Sequence, residues 1–269
     1  MRIIDTHCHI HDPEFTEKYS NDVDTILSEA RDVGVDTYIC VGTSAGSSEM
    51  AVAFAANHKG AYASLAIHPH EVAEKSADTI NEEFARLEHV LREGSDKIVA
   101  IGECGLDYYY HSDAAIRDAQ KTLFRRHLDL ALRYDLPLIF HIRDAFDDFF
   151  AILDEYGKNG KKIRGVVHSF SAHMMQLEGS VARGLYIGLN GIMTFTRDER
   201  QLEAARAVPI DKLLLETDAP FLTPKPFRGT MCELKHVVVT AEFLSSLRGE
   251  STDILAAQTT TNAVSLFRL

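Results

Sequence analysis

At 269 residues and 45% hydrophobic side chains, the chain can bury a large core, and it fits either two ordinary domains or one α/β barrel. Its formal net charge of −12 argues against a broad basic groove for long duplex nucleic acid, while leaving local phosphate binding open, since a metal centre brings its own positive charge. No window approaches the ~18 consecutive apolar residues of a membrane span, and the N-terminus lacks a basic-then-apolar leader.

Four scattered cysteines (Cys8, Cys40, Cys104, Cys232) form no C-x-x-C pair, so reduced thiols in a cytoplasmic protein are expected. Nothing in the chain marks an obligate protein partner or a linker, and residues 1–269 read as one domain.

Apolar and β-branched runs bounded by turn residues fall at roughly 2–7, 36–42, 61–67, 97–103, 136–142, 163–168, 185–189 and 211–217. Segments of helical period lie between them, so β-α repeats eight times, the pattern of a single (β/α)8 TIM barrel. Ser20 or Asn21 is placed to cap a helix that carries Val23, Ile26, Leu27 and Ala30 inward and stops before Gly34. From Ala114 to Tyr134, Ile116, Leu123, Phe124, Leu128, Ala131 and Leu132 recur at helical spacing, and Pro137 marks the exit. The stretch from Asp218 to roughly Met231, rich in Pro and Thr, reads as an ordered active-site loop after the last strand.

Polar residues sit where these runs stop. His7 and His9 close the first, with Cys8 on the opposite face because side chains alternate along a strand. His68 follows the third, Glu103 ends the fourth, His141 the fifth and His168 the sixth, and Asp218 follows the eighth. In a TIM barrel the C-terminal strand ends share one face, so all of them converge there. An H-x-H pair alone is as readily two solvated histidines, Glu103 alone a buried salt bridge and Asp218 alone a turn cap; their joint placement favours a metal site.

Four imidazoles with two carboxylates exceed a closed tetrahedral site and suit one or two ions with positions open to water and substrate. Imidazole favours Zn²⁺, Mn²⁺ or Fe²⁺, whereas Mg²⁺ usually takes oxygen ligands. Glu103, with two oxygens, is placed to bridge two ions, and Asp218 to ligate and to take a proton from an activated water.

The motifs Asp5-Thr-His-Cys-His9, Ile67-His-Pro-His70, Ile101-Gly-Glu-Cys-Gly-Leu-Asp-Tyr108, His141-Ile-Arg-Asp-Ala145, His168-Ser-Phe170 and Leu214-Leu-Glu-Thr-Asp-Ala-Pro220 closely resemble those of the TatD family of metal-dependent hydrolases, from the first strand to the eighth. The resemblance implies an amidohydrolase-superfamily barrel with a divalent metal centre (Zn, Mn or Mg) and nuclease activity. It implies His7, His9, Glu103, His141, His168 and Asp218 as ligands, Asp218 and Glu103 as catalytic groups, and His68 near the substrate phosphate. Glu103 stands where many superfamily relatives carry a carboxylated lysine, which fits the nuclease branch.

Arg143 and Arg228 match basic positions of the family pattern and are expected to clamp a phosphate. Tyr108, Tyr109 and Tyr110 offer a stacking face for a base. The chain departs from the family at Arg228-Gly-Thr-Met-Cys-Glu-Leu234, where Cys232 and Leu234 replace Asn and Pro, and Ser169 replaces a common cysteine. The expected activity is hydrolysis of single-stranded DNA ends or small phosphate esters, 3′ to 5′. Hydrolysis of a carboxylic ester, lactone, amide or aminoacyl-tRNA ester uses the same activated water and stays open, as does metal binding without catalysis.

Overall fold

The structure, a computed structural model, describes residues 2–13, 15, 17, 22–110 and 113–269. Eight parallel strands run in sequence order: β1 (Ile4–Cys8), β2 (Thr37–Val41), β3 (Ala61–Leu65), β4 (Ile98–Asp107), β5 (Leu138–Arg143), β6 (Gly165–Val167), β7 (Tyr186–Leu189) and β8 (Leu213–Leu215). Helices alternate with them, giving the expected (β/α)8 barrel. One face of the strands contributes Ile4, Ile39, Val41, Val99, Ile139, Val166 and Leu214 to an inner cluster closed by Leu266 and Phe267 of the last helix. The opposite faces, Cys8 and Cys40 included, pack in a larger layer with the helices. All four cysteines are free and buried.

Between β8 and β1 the ladder reduces to one bridge, Cys8 with Ala219, so other bonds close the barrel. The Asp218 N–H donates to His7 O (2.9 Å) and the His9 N–H to Ala219 O (2.7 Å). Buried Asp5 accepts from the Thr217 N–H (2.9 Å) and hydroxyl (2.6 Å). Burial pushes the Asp5 carboxyl up to about 7, against those two bonds, which favour its charged form.

Two strands slip register by one residue where they carry site residues: β1 against β2 between Asp5 and Cys8, and β4 against β5 between Gly102 and Cys104. Such irregularities re-aim side chains. β4 extends past the expected 97–103 and pairs with β5 as far as Asp107 and Arg143. Gly102 and Gly105 permit this, with φ of 158° and 152°; a Cβ would fall 2.5 Å from that of Ile139 and 2.1 Å from His141 O respectively. Glycine weakens a strand signal in sequence, which is why the extension is hard to read there.

The helix Val23–Asp32 buries Ile26, Leu27 and Ala30 as expected, but its cap is Asp22, whose side chain accepts from the Asp24 N–H; Ser20 and Asn21 lie outside the described residues. The helix Ala114–Tyr134 buries Leu123, Phe124, Leu128 and Ala131, and also two polar residues, Gln120 and His127. The Gln120 amide brackets Asp107 of β4, donating to its carbonyl (3.0 Å) and accepting from its N–H (2.9 Å). His127 bonds Leu123 O through Nδ1 (3.0 Å) and accepts the Ile67 N–H at Nε2 (3.1 Å), fixing the turn that leads to His68. Burial lowers the His127 pKa to about 3, so the ring stays neutral. Among the described residues no helix is long and apolar enough to cross a membrane.

Replacing Thr217 by valine strips a donor from a buried carboxylate and should cost about 1–3 kcal/mol of unfolding free energy. The lost hydroxyl favours the ionised form of Asp5, so the deficit should be larger above pH 7 than below it. Urea unfolding at pH 6 and pH 9 checks both; equal stability of variant and wild type would show that the seam does not depend on this contact.

Candidate metal centre

At the C-terminal strand ends, the Glu103 carboxylate sits among five imidazoles. Its Oε2 lies 3.5 Å from His7 Nε2 and 4.0 Å from His9 Nε2. Its Oε1 lies 2.6 Å from His141 Nδ1, 3.6 Å from His168 Nε2 and 3.6 Å from His68 Nε2. Asp218 Oδ1 faces His7 (3.4 Å), His9 (3.5 Å) and His168 (3.9 Å). Asp218 takes this pose in a left-handed backbone, φ 59°, which turns the chain away from β8 at the barrel mouth.

The electrostatics follow from this crowding. Burial raises the Glu103 carboxyl, but His168, His141, His68 and His7 outweigh it and hold the group well below the usual carboxylate range. Asp218 is likewise lowered, His9, His168 and His7 prevailing over burial. Burial also depresses the imidazoliums. For His141 it is overcome by Asp107 and Glu103, raising the pKa to about 9, and for His168 by Glu216 and Glu103, raising it to about 10. His9 is raised, Asp218 and Glu103 outweighing burial. His7 is lowered by burial and His168, and His68 falls to about 4 by burial and His141.

The donor set fits a divalent cation. Ligand atoms of His7, His9 and Asp218 lie within 4.8 Å of one another, and so do those of His7, Glu103 and His168, and of His68, Glu103 and His141. The Nε2 atoms of His7 and His9 are 3.2 Å apart, and the His7 and His168 rings stack with centroids 3.5 Å apart. Such crowding of lone pairs and carboxylates is what a cation resolves. Imidazole with carboxylate and no thiolate is a Zn²⁺ or Mn²⁺ set. All six residues expected as ligands meet in this cluster, and His68, expected near the substrate, touches it as well.

Three participants had no place in the sequence reading of the site. Asp107 Oδ2 contacts His141 Nε2 (3.0 Å) and His70 Nε2 (2.8 Å). Glu216 Oε1 lies 2.9 Å from His168 Nδ1. All three occur in the quoted motifs, but as neighbours of the strand-end residues their signal was positional and weak.

The cluster floors an open cavity whose lining includes Arg143, Phe221 and the acidic Asp12, Glu71 and Glu74. Among the described lining residues Arg143 is the one Lys or Arg; its guanidinium stacks 3.7 Å over the exposed Tyr109 ring and 5.1 Å from that of Tyr110. Tyr108 turns away and donates to Asp148 (2.6 Å). Arg228 lies outside this cavity, in an adjoining pocket with Thr223 and Glu233; it donates to Thr223 O (2.9 Å) and stacks on Phe195.

A family model described as TatD related DNase matches residues 4–268. The chain is 35% identical over 260 residues to a Cronobacter sakazakii protein named 3′-5′ ssDNA/RNA exonuclease TatD, covering 94% of each. It is 33% identical over 267 residues to the Bacillus subtilis metal-dependent hydrolase YabD, covering 99% of each. The crystal structure of YJJV, a TatD homologue from Escherichia coli, superposes with a TM-score of 0.88 at 32% identity, covering 100% of this chain and 98% of that one.

His141 and His168 are raised from the ordinary 6.5 to about 9 and about 10. In the metal-free protein their charged forms therefore stabilise the fold fully below pH 6.5, and that contribution is lost as pH rises through 9 to 10. A cation needs the same nitrogens deprotonated, so loading at pH 7 should release about two protons and affinity should rise with pH. Titration calorimetry in buffers of different ionisation enthalpy measures the release; a value near zero would contradict the assignment of these two rings as ligands.

Proposed function

This chain belongs to the TatD-related DNase family and is a metal-dependent hydrolase of ester bonds; from that membership we propose that it trims single-stranded DNA from the 3′ end. The observation that carries the reading is Glu103, whose two oxygens face two imidazole sets with Asp218 alongside, at the floor of a cavity open to a flexible end. His7, His9, Asp218 and Glu103 Oε2 would hold one divalent ion, and Glu103 Oε1, His141 and His168 a second. Such ions supply Lewis-acid charge at the phosphate and lower the pKa of water to about 7.

The chain's own residues do the rest. Asp218, kept ionised by His9, His168 and His7, accepts the proton of the attacking water. His68 is neutral, and its Nδ1 accepts from the His70 N–H (3.2 Å), so its proton is on Nε2, facing the cavity floor as a donor to a phosphoryl oxygen. Arg143, braced by Tyr109, offers its fork to the same phosphate. Arg228, in the neighbouring pocket, meets the phosphate of an adjoining nucleotide.

A second reading, hydrolysis of a carboxylic ester or amide, draws support from Asp12, Glu71 and Glu74, which place negative charge on the cavity wall where a polyanion would pass.

A time course on 5′-labelled single-stranded DNA with Mg²⁺, Mn²⁺ or Zn²⁺ added to metal-stripped protein should show a ladder shortening by single nucleotides. Asp218→Asn should slow it by about 10²–10⁴-fold. Intact DNA, with turnover of ester substrates, would decide for the second reading. Arg143→Ala should raise KM about tenfold or more, as loss of a charged hydrogen bond does, and an unchanged KM would remove Arg143 from the phosphate.

A further inference from the structure

Each metal-facing imidazole has a second ring nitrogen, and the groups that meet it differ between the two sides of Glu103. On the side of Oε2, His9 Nδ1 meets a neutral backbone carbonyl, Val41 O, at 2.8 Å, and His7 Nδ1 is buried with no hydrogen-bond partner. On the side of Oε1 both partners are buried carboxylates. His141 turns Nδ1 to Glu103 and Nε2 to Asp107 Oδ2 (3.0 Å). His168 turns Nε2 to Glu103 and Nδ1 to Glu216 Oε1 at 2.9 Å, an ion-pair contact rather than an aligned hydrogen bond.

Asp107 and Glu216 are held for this task by groups unrelated to the metal. Asp107 is fully buried; its Oδ1 accepts the Tyr109 N–H (2.9 Å) and its backbone is bracketed by Gln120. Its Oδ2 also meets His70 Nε2 at the cavity wall (2.8 Å). Glu216, 1% exposed, accepts the Ser169 N–H (2.7 Å) and the Asn190 amide (3.2 Å) on Oε1. Its Oε2 fills space that only glycine leaves free, since a Cβ on Gly188 would fall 2.3 Å from it. A carboxylate behind a ligand imidazole fixes which nitrogen is free for the metal and makes it a stronger donor; losing such a partner typically costs about 10–100-fold in metal affinity.

We infer that Asp107 and Glu216 are positioning residues that selectively strengthen the cation position formed by Glu103, His141 and His168, leaving the position of His7, His9 and Asp218 to bind without such help. The inference rests on the proposed two-ion occupancy but not on the nuclease reading. It makes the two positions unequal by construction, and each carboxylate acts on one of them.

The test is titration of metal-stripped wild type, Asp107→Asn and Glu216→Gln with Mn²⁺, following bound equivalents by calorimetry and the coupling of paired ions by electron paramagnetic resonance. Wild type should bind two equivalents. Each variant should keep one at unchanged affinity and lose about 10–100-fold on the other, with the paired-ion signal lost at subsaturating Mn²⁺. The two variants sit at the ends of different strands, Asp107 closing β4 and Glu216 following β8, so either one that folds suffices.

Equal weakening of both equivalents would overturn the inference in favour of a general structural role. Unchanged affinities would also overturn it. So would a third equivalent abolished by His70→Ala, since that would make Asp107 a ligand. Wild type binding no Mn²⁺ at all would instead remove the two-ion premise. DNA cleavage enters none of these readouts, so failure of the nuclease reading is separately visible.

Discussion

A buried carboxylate is costly unless charge or donors surround it, and Glu103 imposes that demand on the centre of the barrel mouth. Its neighbours answer it from four other strands or strand ends: His7 and His9, His68, His141, His168. The register slips in β1 and β4 and the missing Cβ atoms at Gly102 and Gly105 are the backbone adjustments that let β4 carry the carboxylate this close to β5. The same arrangement that makes Glu103 tolerable without metal would let it bridge the two ions proposed for this site, because the imidazoles that stabilise its charge expose nitrogens to a common space.

Asp218 joins the cluster by a different constraint. Strand pairing nearly fails between β8 and β1, and the bonds that replace it run through Asp5, Thr217 and the Asp218 N–H. Barrel closure and placement of the proposed base are therefore one structural event. A mutation at the seam acts on stability and on the site together, whereas a change at Arg143 or Arg228, on the rim, should spare the fold.

Much of the site was legible because a parallel barrel converts a one-dimensional cue, a polar residue at the end of an apolar run, into a shared three-dimensional position. That rule places His7, His9, Glu103, His141, His168 and Asp218 together without distances. It is silent on what stands behind them. Asp107 lies four residues beyond Glu103 in an extension of β4 that two glycines disguise, and Glu216 lies inside the eighth apolar run, where it reads as an interruption. Gln120 and His127 sit on a helix face otherwise apolar, and the backbone atoms they reach outside the helix, those of Asp107 and Ile67, are revealed by no periodicity. Arg228 shows the reverse limit: its motif position suggested the same phosphate as Arg143, while the turn after Pro220 carries it into a separate pocket. Asp12 and the helical pair Glu71 and Glu74 were invisible as a group, since their two segments meet only at the mouth.

On the function proposed, the strand-end cluster is a binuclear cation site bridged by Glu103. Anomalous diffraction at the manganese edge from crystals grown with Mn²⁺ tests it most directly. Two peaks on either side of the Glu103 carboxylate are predicted, one bounded by His7, His9 and Asp218 and the other by His141 and His168. No peak in the cluster, or a peak bounded by His70, Asp107 and His141 alone, would contradict it.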